Sequence, residues 1–143
     1  MPVNALRTIL VVSLSLLSLT SFAQCEAKLK DFYVTYITNL DLCNDAKNIA
    51  LKEAHMSPEL INKLNERCEE CGADTIIYAQ DVCQNMIETL TVEPYKDNWY
   101  LVKYNWNPTI KEEETVIPVK ACNCDGNLTI LDIYPAWDDI SKL

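Results

Sequence analysis

The apolar positions of the chain change period near its middle. From Glu26 to Leu40, EAKLKDFYVTYITNL sets Leu29, Phe32, Tyr33, Tyr36, Ile37 and Leu40 at steps of three and four, which predicts one helical stripe. The stretch DLCNDAKNIALKEAHM is more weakly patterned and accommodates a helix, or a turn followed by one. Ser57-Pro58-Glu59 then opens a helix by local rules: a hydroxyl to cap, a proline where its missing N–H is harmless, and an acid in the first turn. LINKLNERCEEC continues that helix, and Gly72 stops it.

Beyond Gly72 the period falls to two. MIETLTVEPY, NWYLVKYNW, ETVIPVKAC and NLTILDIYP are β-branched and aromatic, and each predicts a strand. Tyr100, Val102, Tyr104 and Trp106 share one strand face, while Asp97-Asn98 and Asp125-Gly126-Asn127 supply turns between neighbours. Pro118 inside the third strand predicts an edge position or a bulge. Helices first and an antiparallel meander of about four strands afterwards make the fold class α+β.

The first residues carry a different message. MPVNALRTILVVSLSLLSLTSFAQ has one arginine, an apolar run from Ile9 to Leu19, and then Ser21-Phe22-Ala23. Small residues three and one positions before a cut predict a signal peptide over residues 1–23, cleaved after Ala23. The run is shorter than the roughly 20 apolar residues of a membrane span. Cys25 follows Gln24, where a lipid-attachment signal would need a small residue, so the chain is read as periplasmic or secreted and not anchored. Residues 24–143 form one domain by size. Without the leader, 11 basic side chains face 21 acidic ones, a net charge of −10. So acidic a domain repels nucleic acid and anionic lipid, which excludes both as partners.

All seven cysteines (25, 43, 68, 71, 83, 122 and 124) lie in this domain, and an oxidising compartment favours bridges among them. If residues 43–71 form a helical hairpin turning near Met56, Cys43 and Cys68 stand at one height, which makes Cys43–Cys68 the preferred pair and Cys43–Cys71 the second. Cys71 or Cys83 would tie off the loop between them. Cys122 and Cys124 point the same way from one strand and are too far apart to bridge easily, so a distorted turn or a bond from either to Cys25 is favoured. Cys68-Glu69-Glu70-Cys71 ends a helix at its negative pole with two acids between the sulfurs, which raises thiol pKa and argues against redox catalysis. Zinc held by Cys68, Cys71, Cys122 and Cys124 is a third reading, disfavoured by the compartment.

The most distinctive stretch is CGADTIIYAQDVC, residues 71–83. Asp74 follows Gly72-Ala73 and precedes an apolar turn, where an N-cap belongs, and Asp81 is placed to accept from the segment leading into the first strand. Their alternative role is an acid/base pair. Asp74-Thr75-Ile76 also fits an Asp-Thr-apolar triplet used for O-glycosylation in some bacterial periplasms. His55 is the only histidine, in a charged stretch that predicts a surface position.

FYVTYITN, MSPELINKL, GADTIIYAQD, NWYLVKYNW and the terminal DGNLTILDIYPAW occur in an order that resembles an exported bacterial family known as domain of unknown function 3828. The resemblance covers roughly residues 30–137. It implies a fold like that of nuclear transport factor 2 and cystatin, a cone of curved sheet wrapped on helices, and it implies no activity. In such a cone TIIY would lie across the open end as a plug. Tyr78, Tyr100, Tyr104 and Trp106, with Tyr134 and Trp137, would be candidates to line a ligand pocket. Domains of this kind often pair through the open sheet face, so a homodimer is compatible with the reading.

The residues offer no convincing nucleophile–base–orienter set. The expectation is therefore a non-catalytic domain without a cofactor, binding a protein or small ligand. The competing expectation is a hydrolase or isomerase using Asp74 and Asp81, which requires both carboxylates in one cavity with at least one pKa raised.

Overall fold

The computed structural model describes the backbone of residues 3–143 and the side chains from Ser21 onward, Lys111 apart. Helix α1 (Val3–Asp41) is followed by α2 (Asp45–His55), α3 (Pro58–Cys71) and the short α4 (Gln84–Glu88). Strands β1 (Thr91–Pro94), β2 (Trp99–Asn105), β3 (Glu114–Cys124) and β4 (Asn127–Ile133) complete the chain, apart from single 3-10 turns at Lys111–Glu113 and Ile140–Lys142. The strands form one open antiparallel sheet in chain order. The α+β class read from the sequence is the one observed.

The predicted stripe of α1 faces the sheet. Leu29, Phe32, Tyr33, Tyr36 and Ile37 are all buried, against Tyr100, Val102 and Tyr104 of β2 and Ile117 and Val119 of β3. The expected cut after Ala23 falls within α1, whereas the apolar run Ile9–Leu19 lies outside the described side chains. Among the described residues no helix is long and apolar enough to cross a membrane. The weakly patterned segment resolves into a turn and a helix, with Asn44 accepting from the Lys47 N–H to cap α2. Helix α3 begins and ends as its residues dictate. Ser57 Oγ accepts from the Leu60 N–H, and Gly72 takes the left-handed conformation (φ 69°) that an L side chain resists.

Two local expectations need correction. The stretch 84–88 is helical, because Met86 and Leu90 enter the core four residues apart, a helical step; only Thr91–Pro94 of the predicted first strand is extended. Pro118 is not on an edge. It sits in β3 between β2 and β4, opposite Leu101, and its carbonyl accepts from the Tyr134 N–H just where β4 ends. The missing donor therefore falls at the end of a ladder, and the register shift comes later, between Lys120 and Ala121. The β3–β4 turn is the expected one, with Asp125 (φ 51°) and Gly126 (φ 78°) both left-handed.

Candidate functional site

The loop after α3 folds back on itself: the Asp74 N–H donates to the Ala79 carbonyl at 3.0 Å, closing four residues, and Tyr78 turns the chain at φ 51°. Inside this turn Asp74 Oδ1 accepts from the N–H groups of Ile76 (2.8 Å) and Ile77 (3.2 Å). Its Oδ2 accepts from the Tyr36 hydroxyl at 2.6 Å. Ile76 and Ile77 are thereby pressed into the core, 2% and 1% exposed. Their carbonyls are satisfied from the opposite side: Tyr33 donates to Ile76 at 3.0 Å and Tyr104 to Ile77 at 2.6 Å. Thr75 donates to the Leu64 carbonyl at 2.7 Å.

Burial first, and then the charge of Asp74, push the Tyr36 phenol far above its ordinary value; the same two causes act in the same order on Tyr33. These phenols are fixed donors and not acids. Asp74 is correspondingly an engaged acceptor, with three donors on its two oxygens. Asp81 is exposed, and its Oδ1 accepts from the Val82 N–H at 2.8 Å. Both carboxylates do line one hollow, of about 150 Å³, with Leu40, Ile77, Ala79, Gln80 and Val82. It is lined by no hydroxyl, thiol, amine or imidazole side chain.

The aromatic candidates have other duties. Tyr100 and Tyr104, 2% and 1% exposed, belong to the core, where the inner sheet face is filled by α1 and the plug. Tyr78 is half-buried, its ring edge-on to Trp137 at 4.7 Å, with its hydroxyl 3.4 Å from the Arg67 guanidinium. Trp106 packs half-buried against the core, and its carbonyl accepts from Asn85. Thr75 is 3% exposed with its hydroxyl engaged, so the glycosylation triplet is inaccessible in the folded chain.

The cysteines depart furthest from expectation. One bridge is present, Cys122–Cys124, while Cys25, Cys43, Cys68, Cys71 and Cys83 are thiols. The preferred Cys43–Cys68 pair fails because α2 and α3 do not run as a matched hairpin. Cys68 lines a hollow with Lys52, only four residues before the turn at Met56, whereas Cys43 lies beyond the far end of α2 in the turn from α1. Cys25 does not serve Cys122 or Cys124 either: it is buried on the core face of α1 beside Tyr100, and those two sulfurs bond each other. Cys122–Cys124 closes because the segment is contracted: its Cα atoms stand 5.7 Å apart, against about 6.7 Å for two steps of an extended strand. Partial burial and then Asp74, Cys71 and Glu69 raise the Cys68 pKa, in line with the blunted nucleophile expected at a helix C-terminus. Among the described residues no three His, Cys, Asp or Glu side chains gather as a metal site, and Cys122 and Cys124, two of the four cysteines of the zinc reading, are bonded to each other.

A concavity that sequence reasoning missed lies between α1, α2 and the β3–β4 turn. It encloses about 280 Å³, with Phe32, Leu51 and Leu128 as apolar wall and Lys28, Asp31, Thr35, His55 and Asn127 as polar groups. His55 is half-buried and not a plain surface residue. Its Nδ1 lies 2.9 Å from the Leu128 carbonyl and so carries the proton, and its ring stands edge-on to Phe32 at 5.7 Å. Lys28 Nζ donates to Asn123 Oδ1 at 2.8 Å and to the Gly126 carbonyl, pinning the turn to α1. Helix α2 is held in turn by a buried pair: Asn39 donates to Asn48, which donates to the Tyr36 carbonyl. Nothing local in the sequence reports this groove, since its walls come from three distant segments. A wider hollow of about 440 Å³ along Ala23, Glu26, Ala27, Lys30, Thr91 and Val92 adjoins the expected cleavage point.

Helices packed on an open four-stranded sheet, an interior closed by its own loop, and an external groove define an α+β domain. No protein-family model matches the chain, and no curated protein matches it. A solved structure does: a protein of unknown function from Bacteroides thetaiotaomicron VPI-5482, 32% identical, with a TM-score of 0.75 over 88% of this chain and 99% of that one. The chain belongs to the same family as that protein.

Proposed function

We propose that this is an exported, non-catalytic domain that binds a small amphiphilic ligand in the α1–α2–β4 groove. The observation that carries the reading is the groove's lining: an apolar wall ringed by a cation, an anion, a hydroxyl and an imidazole. A few placed polar groups on an apolar wall are what orient a bound molecule. A volume of about 280 Å³ suits something of amino-acid or dipeptide size. The leader-like residues 1–23 and the disulfide support export. Against the hydrolase or isomerase reading stands Asp74, whose two oxygens already accept three hydrogen bonds.

The test is a titration of the protein with amino acids and dipeptides, followed on the ring resonances of its single histidine. Saturable shifts at His55 that disappear in Asp31→Ala support the reading. Shifts that persist in that variant, or none across the series, overturn it.

A further inference from the structure

Cys122 and Cys124 enclose Asn123, and that single residue links the disulfide to the groove. Side chains alternate along a strand, so Asn123 points to the face opposite its two neighbours. There its amide accepts from Lys28 and donates to Gln24 Oε1 at 3.2 Å. Lys28 also holds the Gly126 carbonyl, and Lys28, Gly126 and Asn127 are rim residues of the groove. The bridge therefore sits on the short contracted segment that sets this rim.

We propose that Cys122–Cys124 is a reversible thiol–disulfide exchange site whose redox state latches the groove. Cys124 is exposed and Cys122 half-buried at the free end of a hairpin, where an incoming thiolate meets little obstruction. Exposed disulfides, and those closed at the expense of backbone geometry, are the ones that exchange readily. The partner is a low-molecular-weight thiol. Its thiolate attacks the Cys124 sulfur, a mixed disulfide forms, and Cys122 leaves as a thiolate and takes up a proton. A second thiol then attacks the sulfur that the first one brought, releasing the oxidised partner and leaving Cys124 as a thiol. Two electrons and two protons reach the protein in all. Freed of the bridge, the segment lengthens by about 1 Å toward ordinary strand spacing, carrying Asn123 and Gly126 away from Lys28.

The inference rests on the groove reading but is tested without ligand, so the two fail separately. Alkylation in denaturant, which also opens the buried Cys25, followed by intact mass should count five adducts on the protein as isolated and seven after equilibration of the folded protein with reduced glutathione. The His55 ring resonance, reporting through its bond to the Leu128 carbonyl, should shift in step with the sixth and seventh adducts. The Cys122→Ser/Cys124→Ser double variant should show the reduced position whether or not glutathione is present. Asn123→Ala should move the same resonance with the disulfide intact. Five adducts persisting in glutathione overturn the exchange site. Seven adducts with an unmoved His55, or a double variant that keeps the oxidised signal, overturn the latch.

Discussion

Two loops are stitched to the same helix by opposite means. The plug, residues 74–79, meets α1 through Tyr33 and Tyr36, whose hydroxyls reach it inside the core. The β3–β4 turn meets α1 through Lys28 and Gln24, at the surface. Buried polar groups are expensive to leave unpaired, whereas exposed ones exchange a protein partner for water at little cost. The plug should therefore behave as part of the folding unit and the turn as an adjustable part. Substitutions in each put that contrast to the test.

The largest effect is expected from Ile77→Ala. Removing most of a side chain that is 1% exposed leaves a cavity under the sheet, and such truncations cost about 2–5 kcal/mol. Urea unfolding should show it as a lower midpoint with an unchanged slope. Asp74→Ala comes next, at about 2–3 kcal/mol, since it strands the Tyr36 hydroxyl and two backbone N–H groups. Asp74→Asn keeps an acceptor on the Ile76 and Ile77 side and should lose less. If Asp74→Ala proved neutral, the plug would be no more integral than the turn.

Alkaline pH tests the same loop without mutation. Tyr33, Tyr36 and Tyr104 hold their protons more tightly folded than unfolded, above the ordinary value of 10.0, with burial the first cause in each. A raised folded pKa contributes stability that is intact below the unfolded pKa and lost as pH rises past it. The tyrosine contribution to stability should therefore be level up to about pH 9 and fall above about 10. The tyrosinate absorbance of these phenols should appear only together with unfolding. Ionisation of all seven tyrosines before unfolding would show that the plug does not exclude water.

Much of this contrast could be read from residues alone, and the reason is locality. Ser57, Pro58 and Gly72 fix the ends of α3 through bonds to residues within four positions, and Asp125-Gly126 demands its turn through backbone conformation. Asp74 as a cap was legible for the same reason. Its third partner, Tyr36, was not, because it comes from a helix 38 positions away. The cysteine pairing failed on a similar point. Cys68 stands beside Lys52 and not beside Cys43, a matter of how the two helices pack that no spacing rule contains. The groove was invisible on both counts, since Lys28, His55 and Gly126 belong to three elements brought together only by the fold.

At the adjustable loop, Lys28→Ala should cost less than about 1 kcal/mol, because Asn123 and Gly126 can bond water instead. Its signature should be local: faster amide exchange over residues 123–128 with the exchange of Ile76 and Ile77 unchanged. Faster exchange in both segments would mean that the two loops form one cooperative unit.

The smallest effect separates the two carboxylates of the hollow, Asp74 and Asp81, from each other. Asp81 is exposed and accepts only from the neighbouring Val82 N–H, a bond that an asparagine carbonyl can replace. Asp81→Asn should therefore stay within about 0.5 kcal/mol of the parent protein in urea. An acid–base pair would make Asp74 and Asp81 interdependent, so that changing either perturbed the ionisation of the other. A brace makes only Asp74 matter. If the urea costs of Asp74→Ala and Asp81→Asn failed to add in the double variant, the hollow they share would have to be regarded as a coupled site. Additive costs leave Asp74 the anchor of a closed loop.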